Sequence, residues 1–152
     1  MVKRVLIFLA LNFLALAIGG SFTGSGVSSD WYQNLDKAPW TPPGWVFGAA
    51  WTSIMVCYAF YMAYLLSETE HRKKIIFLFT AQWVLNVLWN PVFFYYKEIL
   101  AGFVSISLLT LLIAYFLFRF KKVLRFKTLF IAPYFIWLLI ASSLNAYILF
   151  YN

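Results

Sequence analysis

The strongest constraint on this chain is a series of five apolar runs, each close to the length of a membrane-spanning helix. A transmembrane helix needs about 20 mostly apolar residues, and the runs lie near residues 5–20, 45–66, 75–95, 99–118 and 129–151. Only 11% of the 152 residues are charged, whereas a soluble domain carries roughly 25%. The sequence therefore predicts an all-α membrane protein, a bundle of five transmembrane helices in one domain over residues 1–152, and argues against a soluble globule.

Glycine and proline residues mark the ends of the predicted helices. Gly19 and Gly20 are interpreted as the end of the first helix, and the prolines at 42–43 as the start of the second. Pro91 falls inside the third run and predicts a kink there. The one long connection, residues 21–43, combines Gly, Ser and Pro with three large aromatic residues, Trp31, Tyr32 and Trp40. This composition predicts a packed, lid-like first loop rather than a disordered linker.

The basic residues are unevenly distributed over the two sides of a five-helix chain. Ten of the 12 Lys and Arg residues fall on the side of the N-terminus, whereas only Lys37 and Lys97 fall on the other. Because cytoplasmic loops carry an excess of Lys and Arg, this predicts a multi-pass protein of the cell membrane with a cytoplasmic N-terminus and an external C-terminus. The net charge of +7 is then explained by topology and by anionic membrane lipid, so nucleic acid is not a predicted partner.

Ionisable side chains are missing from the interior of the apolar runs. His71 lies in a charged turn at 67–74, and Cys57 is the only cysteine. Ion-coupled transporters place ionisable groups at membrane depth, and metal-assisted or acid–base catalysis needs the same kinds of group. The sequence therefore predicts no metal site, no bound cofactor, no internal disulfide and no ion coupling.

Amides and aromatics are the polar groups that remain within the membrane, and helical spacing sorts them onto three faces. The stripe on the third helix contains Gln82, Asn86, Trp89, Asn90 and Phe93. The stripe on the fifth contains Tyr134, Trp137, Ala141, Leu144 and Asn145, and that on the second contains Gly48, Trp51, Met55, Tyr58 and Met62. Each of these three helices thus presents a face with a tryptophan.

Two interpretations of these faces remain open. In the simpler one, the amides join helices through hydrogen bonds and the tryptophans form a belt at the membrane interface. In the other, Trp51, Trp89 and Trp137 line a dry pocket, because they lie a turn or more inside their helices and a buried indole N–H needs an acceptor. An apolar pocket with a few polar groups is typical of a ligand site, and stacking on Trp and Tyr favours a flat, apolar ligand.

Three sequence blocks carry a family resemblance. The first runs from Trp40 to Trp51 and fits the pattern W-x-P-P-x-W-x-x-G-x-x-W, after the pair Trp31 and Tyr32. The second contains Gln82, Leu85, Asn86, Trp89, Phe93 and Phe94, and the third contains Pro133, Tyr134, Trp137, Ala141, Leu144 and Asn145. In these blocks and in its length, the chain resembles the TspO/MBR family of tryptophan-rich sensory proteins and translocator proteins.

The resemblance implies a five-helix bundle whose first loop covers a binding cavity. The ligands would be porphyrins and synthetic drugs of the benzodiazepine and isoquinoline carboxamide types. The protein would pair as a homodimer, for which Ala15 and Gly19 would allow close helix contact. Motif positions give the ligand-binding residues Tyr32, Pro42, Trp51, Asn86, Trp89, Trp137, Ala141 and Leu144, to which we add Phe47, Met55, Asn90 and Phe93 from the same blocks and stripes. The sterol pattern of the family needs a Lys or Arg that residues 147–152 lack, which argues against cholesterol transport.

The hypothesis that follows is a membrane receptor for metal-free porphyrin, such as protoporphyrin IX, held between Trp51 and Trp137. Without a histidine in the membrane interior, the pocket should prefer free porphyrin to haem. The resemblance also implies a light-dependent breakdown of the porphyrin, in which Trp51 and Trp137 would exchange electrons with the excited ring. Two alternatives are a passive carrier of tetrapyrroles or lipids, and a regulatory membrane subunit whose cavity is incidental.

Overall fold

The computed structural model describes residues 1–152 and contains helices but no β-strand. The α-helices are α1 (Val2–Val27), the short α2 (Asp30–Gln33), α3 (Gly44–Glu68), α4 (Arg72–Asn90), α5 (Ile99–Leu124) and α6 (Ala132–Tyr151). A π-helical turn at Pro91–Tyr95 follows α4, and a 3-10 segment at Arg125–Ile131 joins α5 to α6. The predicted all-α class agrees with this architecture.

Four helical stretches are long and apolar enough to cross a membrane. They are Val2–Val27, Gly44–Glu68, Arg72–Tyr95 and the 53-residue stretch Ile99–Tyr151. The last stretch contains α5, the 3-10 segment and α6. Because α5 packs along α6, the chain reverses its direction at the 3-10 segment.

The first helix is longer than the sequence predicts. Gly19 and Gly20 do not end it, since α1 continues to Val27, and the prediction of a glycine-terminated helix was wrong. In a membrane no water can take over freed backbone groups, so the helical hydrogen bonds persist through the glycines. Gly19 instead permits a close contact, because a Cβ there would lie 2.6 Å from Nδ2 of Asn90. Ala15 and Gly19 are both buried within the protomer, so they do not offer a surface for a second copy.

Several further boundaries differ from the predicted runs. Helices α1 and α4 begin at Val2 and Arg72, three residues earlier than predicted, and α6 begins at Ala132, three residues later. The α-helical pattern of α4 ends at Asn90, and Pro91 opens a π-helical turn whose Tyr96 amide donates to the Pro91 carbonyl at 2.9 Å. Proline has no N–H with which to continue the α-helical ladder, and π-turns commonly occur at such interruptions. Helix α5 extends past residue 118 to Leu124 and includes basic residues in its last turn, where cations are favoured by the helix dipole.

The five long helices form one bundle. Helix α1 packs against α3 and α4, α4 packs against α5, and α5 packs against α6. Helix α3 completes the ring through contacts with α6 and with the 3-10 segment. The centre is filled by large side chains that are fully buried, among them Tyr58, Tyr61, Met62, Phe116 and Tyr134.

Polar contacts show which helix ends share one side of the bundle. Arg4 of α1 donates to Ser67 Oγ of α3 at 2.6 Å, and Lys74 of α4 donates to the Tyr115 hydroxyl of α5 at 2.9 Å. Lys127 in the 3-10 segment forms an ion pair with Glu68. We call this side the basic end. The opposite side carries residues 28–43, which we call the cap.

The cap is folded onto the bundle. Ser29 is the N-cap of helix α2, and its hydroxyl accepts a hydrogen bond from the Tyr32 amide at 3.3 Å. Near the end of α2, the Lys37 ammonium donates a hydrogen bond to the Tyr32 carbonyl at 2.8 Å. Farther along, the Trp40 indole donates to Ser143 Oγ at 3.1 Å. The Asn152 carboxamide both donates to and accepts from the Asp36 backbone. The cap therefore lies along the C-terminal half of α6.

Candidate functional site

The end of α4 supplies an aromatic stack with a hydrogen-bonding indole. The rings of Trp89 and Phe93 are nearly parallel, with 5.7 Å between their centroids. The Trp89 Nε1 donates to Oδ1 of Asn145 on α6 at 3.3 Å. Asn86 lies one helical turn before Trp89 and is buried. This face of α4 thus meets α6 through both a ring and an amide.

Helices α3 and α6 meet through edge-to-face aromatic pairs. Phe47 packs on Trp137 with ring centroids 5.3 Å apart, and Trp51 packs on Tyr134 at 5.8 Å. Aromatic pairs prefer this arrangement because a positive ring edge faces a negative ring face. Trp137 is only 7% exposed, and its Nε1 has no hydrogen-bond partner. A buried indole N–H usually finds an acceptor, so this donor lacks the partner that such groups ordinarily have.

The cap adds aromatic rings over the end of α4. The Tyr32 ring lies 6.4 Å from that of Phe93 and 5.5 Å from that of Phe94, and Trp31 lies 5.6 Å from Phe93. Burial raises the pKa of the Tyr32 phenol above its usual value near 10, so this residue is neutral at physiological pH. The Lys37 ammonium sits 4.9 Å from the Tyr32 ring centroid.

Trp89 links these groups into one site. It packs both against the central core, which includes Trp137 and Ala141, and against the smaller cluster of Phe93 and Phe94 beneath the cap. The remaining α6 positions of the predicted set, Ala141 and Leu144, are buried. Seven of the predicted residues belong to these two clusters: Tyr32, Phe47, Trp51, Trp89, Phe93, Trp137 and Ala141. Asn86 on α4 and Leu144 on α6 are buried.

Three predicted residues lie elsewhere or at the margin. Asn90 faces α1, where its Oδ1 accepts from Thr23 Oγ1 at 2.6 Å. Met55 is buried in the close-packed core, and its carbonyl accepts from Asn12 Nδ2 at 3.0 Å. Pro42 is half-buried in the cap, two residues before the start of α3.

The sequence interpretation missed two residues of the cluster beneath the cap, Phe94 and Ile148. Ile148 lies one turn beyond Leu144 and continues the α6 stripe, so helical spacing could have identified it. Phe94 could not be found in this way, because an α-helix does not direct consecutive residues to one face. The π-helical turn buries both Phe93 and Phe94.

Several amides have interhelical partners, as the simpler interpretation predicted. Gln82 Nε2 donates to the Tyr134 hydroxyl at 2.7 Å, and the Asn145 Oδ1 accepts from Trp89 as described. Not every polar atom is paired, since Gln82 Oε1 and Trp137 Nε1 are buried without partners. The exposed Trp45, at 75%, fits the membrane-interface role. Gln82 and Asn145 therefore join helices through hydrogen bonds, whereas the Trp137 indole N–H has no such role.

The chemistry of the site is that of stacking and hydrogen bonding. No group of three or more His, Cys, Asp or Glu side chains is arranged to hold a metal ion. The two clusters consist of aromatic and aliphatic side chains, with the amides of Asn86 and Asn145 buried on the same helices. The Lys37 ammonium over the Tyr32 ring is the charged group at the edge of the site. Such a set can hold a flat, largely apolar molecule by its faces and orient it through the few polar atoms.

Comparison with known proteins identifies the family. The model of the TspO/MBR family matches residues 7–151. The chain is 33% identical to the tryptophan-rich sensory protein of Cereibacter sphaeroides, over 90% of this chain and 87% of that protein. It is 32% identical to the tryptophan-rich protein TspO of Chlorobaculum tepidum, over 99% and 98% of the two chains, and 29% identical to the translocator protein of Homo sapiens, over 90% and 85%. From its match to the family model over nearly the whole chain, this protein belongs to the TspO/MBR family of membrane proteins.

Proposed function

We propose that this protein is a membrane receptor that binds a flat tetrapyrrole of the metal-free porphyrin class beneath the cap. The family resemblance extends the ligand class to isoquinoline carboxamide and benzodiazepine drugs and suggests a homodimer. The single observation that carries the proposal is the buried, unpartnered Trp137 Nε1 beside the Phe47 ring. A porphyrin offers ring nitrogens and carboxylates that accept hydrogen bonds, and a flat face that stacks on aromatic side chains.

The proposed topology has five membrane crossings in the cell membrane. Helices α5 and α6 contain 26 and 20 residues, and each suffices for one crossing, because a span needs about 20. The chain then ends on the cap side, opposite the N-terminus. The basic end would face the cytoplasm, in line with the excess of Lys and Arg expected there. The cap would act as a lid on the external side.

The absence of an interior histidine favours free porphyrin over haem. The one histidine of the chain, His71, is exposed at the turn between α3 and α4, on the basic end. In globins and peroxidases the haem iron is held by a proximal histidine, a ligand that the membrane interior of this chain lacks. We therefore expect haem to bind more weakly than protoporphyrin IX.

We also propose a light-dependent reaction at this site. An excited porphyrin would accept an electron from a nearby indole and pass it to molecular oxygen, which becomes superoxide. The indole radical cation would then regain an electron from the porphyrin, and the resulting porphyrin radical cation would combine with the superoxide, so that the porphyrin is oxidised by oxygen and the indole is restored. Trp51 and Trp137 lie on facing helices, and their rings contact Tyr134 and Phe47 respectively. A ring bound between these two helices would contact both indoles.

Binding is tested by titrating purified protein with protoporphyrin IX and following the quenching of tryptophan emission. An isoquinoline carboxamide serves as competitor, and haem is titrated in parallel. We expect saturable quenching that the competitor reverses, with a higher Kd for haem. Linear, non-saturating quenching that the competitor does not affect would contradict the receptor proposal.

The roles of the two indoles are tested with the double variant Trp51→Phe, Trp137→Phe. Its affinity for porphyrin should remain within about tenfold of the unmodified protein, because Phe retains a stacking face, whereas the yield of photoproduct under illumination should fall. The matched control is Trp45→Phe, since that side chain is 75% exposed and should change neither quantity. An unchanged photoproduct yield in the double variant would reject the catalytic roles while leaving the receptor proposal in place.

A further inference from the structure

A second concave surface lies on the outside of the bundle, away from the Trp-rich site. It is an apolar groove of about 500 Å³ between α1 and α4, toward the basic end. Ligand sites commonly have volumes of roughly 300–1,000 Å³. The floor of the groove is the buried edge-to-face pair Phe8 and Phe79, with centroids 4.9 Å apart. Its rims are the exposed side chains of Ile7, Leu11 and Ile76, so it opens to the surroundings of the bundle.

The length of the groove corresponds to one leaflet of a bilayer. On α1 the lining extends from Arg4 to Leu14, a distance of ~15 Å at about 1.5 Å per residue. The hydrocarbon core of a membrane is about 30 Å thick, so the groove covers half of it. Trp83 crosses from α4 and donates its indole N–H to the Leu11 carbonyl at 2.8 Å. This contact holds the two helices in place along the groove.

The basic end of the groove carries a cation without an acidic partner. Arg4 lines the groove and donates one hydrogen bond, to Ser67 Oγ at 2.6 Å. The only ion pair of the protein is that of Lys127 and Glu68, so the Arg4 guanidinium forms no ion pair. A guanidinium has five N–H donors and its fork geometry matches phosphate oxygens. Arg4 therefore has donors free for a phosphate.

The N-termini of α1 and α4, on the two sides of the groove, add to the positive charge of Arg4. Helices α1 and α4 both begin at the basic end, and neither has an acidic residue in its first turn. Lys3 and Arg4 occupy the first turn of α1, and Arg72 begins α4. Basic residues at a helix N-terminus oppose the helix dipole, whereas an anion there is stabilised by it. An anionic group would reduce the repulsion between these basic side chains and the N-terminal end of the helix dipole in both α1 and α4.

We propose that this groove binds one acyl chain of an anionic phospholipid from the leaflet at the basic end, with the lipid phosphate on Arg4. The apolar walls would take the chain, and the charge at one end would select the headgroup. The site is separate from the porphyrin site and does not depend on it.

The proposal is tested by native mass spectrometry of the detergent-solubilised protein after incubation with phosphatidylglycerol or with phosphatidylcholine of the same chains. The measurement counts the lipids that remain bound and also reports the oligomeric state. We expect one phosphatidylglycerol to be retained in preference to phosphatidylcholine. Arg4→Gln should weaken phosphatidylglycerol retention by about tenfold, the scale of one lost charge-assisted hydrogen bond. Lys3→Gln, which removes a neighbouring charge outside the groove, should weaken retention less than Arg4→Gln does.

A second pair of variants tests the apolar part of the groove. Leu11→Trp fills the space with a larger side chain and should abolish retention of the lipid. Leu6→Trp places the same side chain on the same helix outside the groove, at a position 59% exposed, and should leave retention unchanged. Equal retention of the two lipids, or equal effects of the paired variants, would overturn the proposal. The proposal would also be overturned if Leu11→Trp abolished a dimer but not lipid retention. That result would show that a second copy of the chain, and not a lipid, covers the groove.

Discussion

The central core and the cap side of the same bundle are packed in different ways. In the core, Tyr58, Tyr61 and Phe116 are completely buried. On the cap side, Phe47, Trp51 and Trp89 remain partly exposed. A buried polar atom without a partner occurs in both regions, the Tyr58 hydroxyl in the core and the Trp137 Nε1 on the cap side. A close-packed interior resists any added volume. The core therefore holds the helices together through fully buried rings, while the cap side leaves part of its aromatic surface exposed.

The largest expected effect comes from removing a ring of the core. Phe116→Ala should lower the free energy of unfolding by about 3–5 kcal/mol, because the neighbouring rings of Tyr58 and Tyr61 lose their contact and a cavity remains. The matched control is Phe77→Ala, at a position 71% exposed, which should cost far less. Unfolding in mixed micelles, followed by circular dichroism, measures both. Equal costs would show that the core is not what stabilises the bundle.

Two glycines in α1, Gly24 and Gly26, test how tightly the helices pack near the cap. A Cβ at Gly26 would overlap the Phe94 side chain, whereas a Cβ at Gly24 would meet nothing. Gly26→Ala should therefore destabilise the protein by about 1–3 kcal/mol through overpacking. Gly24→Ala should stabilise it by roughly 0.5–1 kcal/mol through its effect on the helix backbone. The same unfolding assay tests the pair, and a destabilising Gly24→Ala would contradict the expected difference.

Hydrogen bonds should distinguish the two regions much less than packing does. Asn145→Leu removes the acceptor of the Trp89 indole on the cap side, and Tyr61→Phe removes the donor to the Phe116 carbonyl in the core. Interhelical hydrogen bonds in membranes are worth about 0.6 kcal/mol on average, so both variants should have similar, small costs. A core variant that costs several times more would indicate that polar contacts, and not ring packing alone, set the regions apart.

The smallest expected effect is a pH dependence confined to the cap. Burial raises the pKa of Tyr32 above its usual value of 10.0, which means that folding favours the neutral phenol. Its contribution is complete below pH 10 and is lost as the pH rises through the raised pKa. Hydrogen exchange of the cap should therefore accelerate above pH 10 while that of the core does not. Tyr32→Phe should remove this dependence, and a core that opens in parallel would point to global unfolding instead.

Much of the candidate site could be predicted because it depends on helical spacing. Trp137, Ala141 and Leu144 lie on one face of α6 wherever the helix is placed, and all three are buried. The predicted site residues that lie elsewhere were misplaced because spacing along a helix does not identify the neighbouring helix that each residue contacts. Asn90 continues the predicted stripe of α4 but accepts a hydrogen bond from Thr23 of α1. One helix face can contact several neighbouring helices, and residue spacing does not show which of them each side chain contacts.

Composition and residue spacing are enough to predict that the surroundings are a membrane, that the chain is helical, where its charges concentrate and which tryptophans lie on helix faces. These properties follow from composition and from a local period of 3.6 residues, so they need no contact with another helix. The packed bundle is needed to show that Gly19 and Gly26 of α1 fit against Asn90 and Phe94, that a π-turn buries two consecutive phenylalanines, and that the Trp137 N–H is left without an acceptor. Each of these depends on the distance between atoms of different helices, which close packing sets and sequence spacing does not encode.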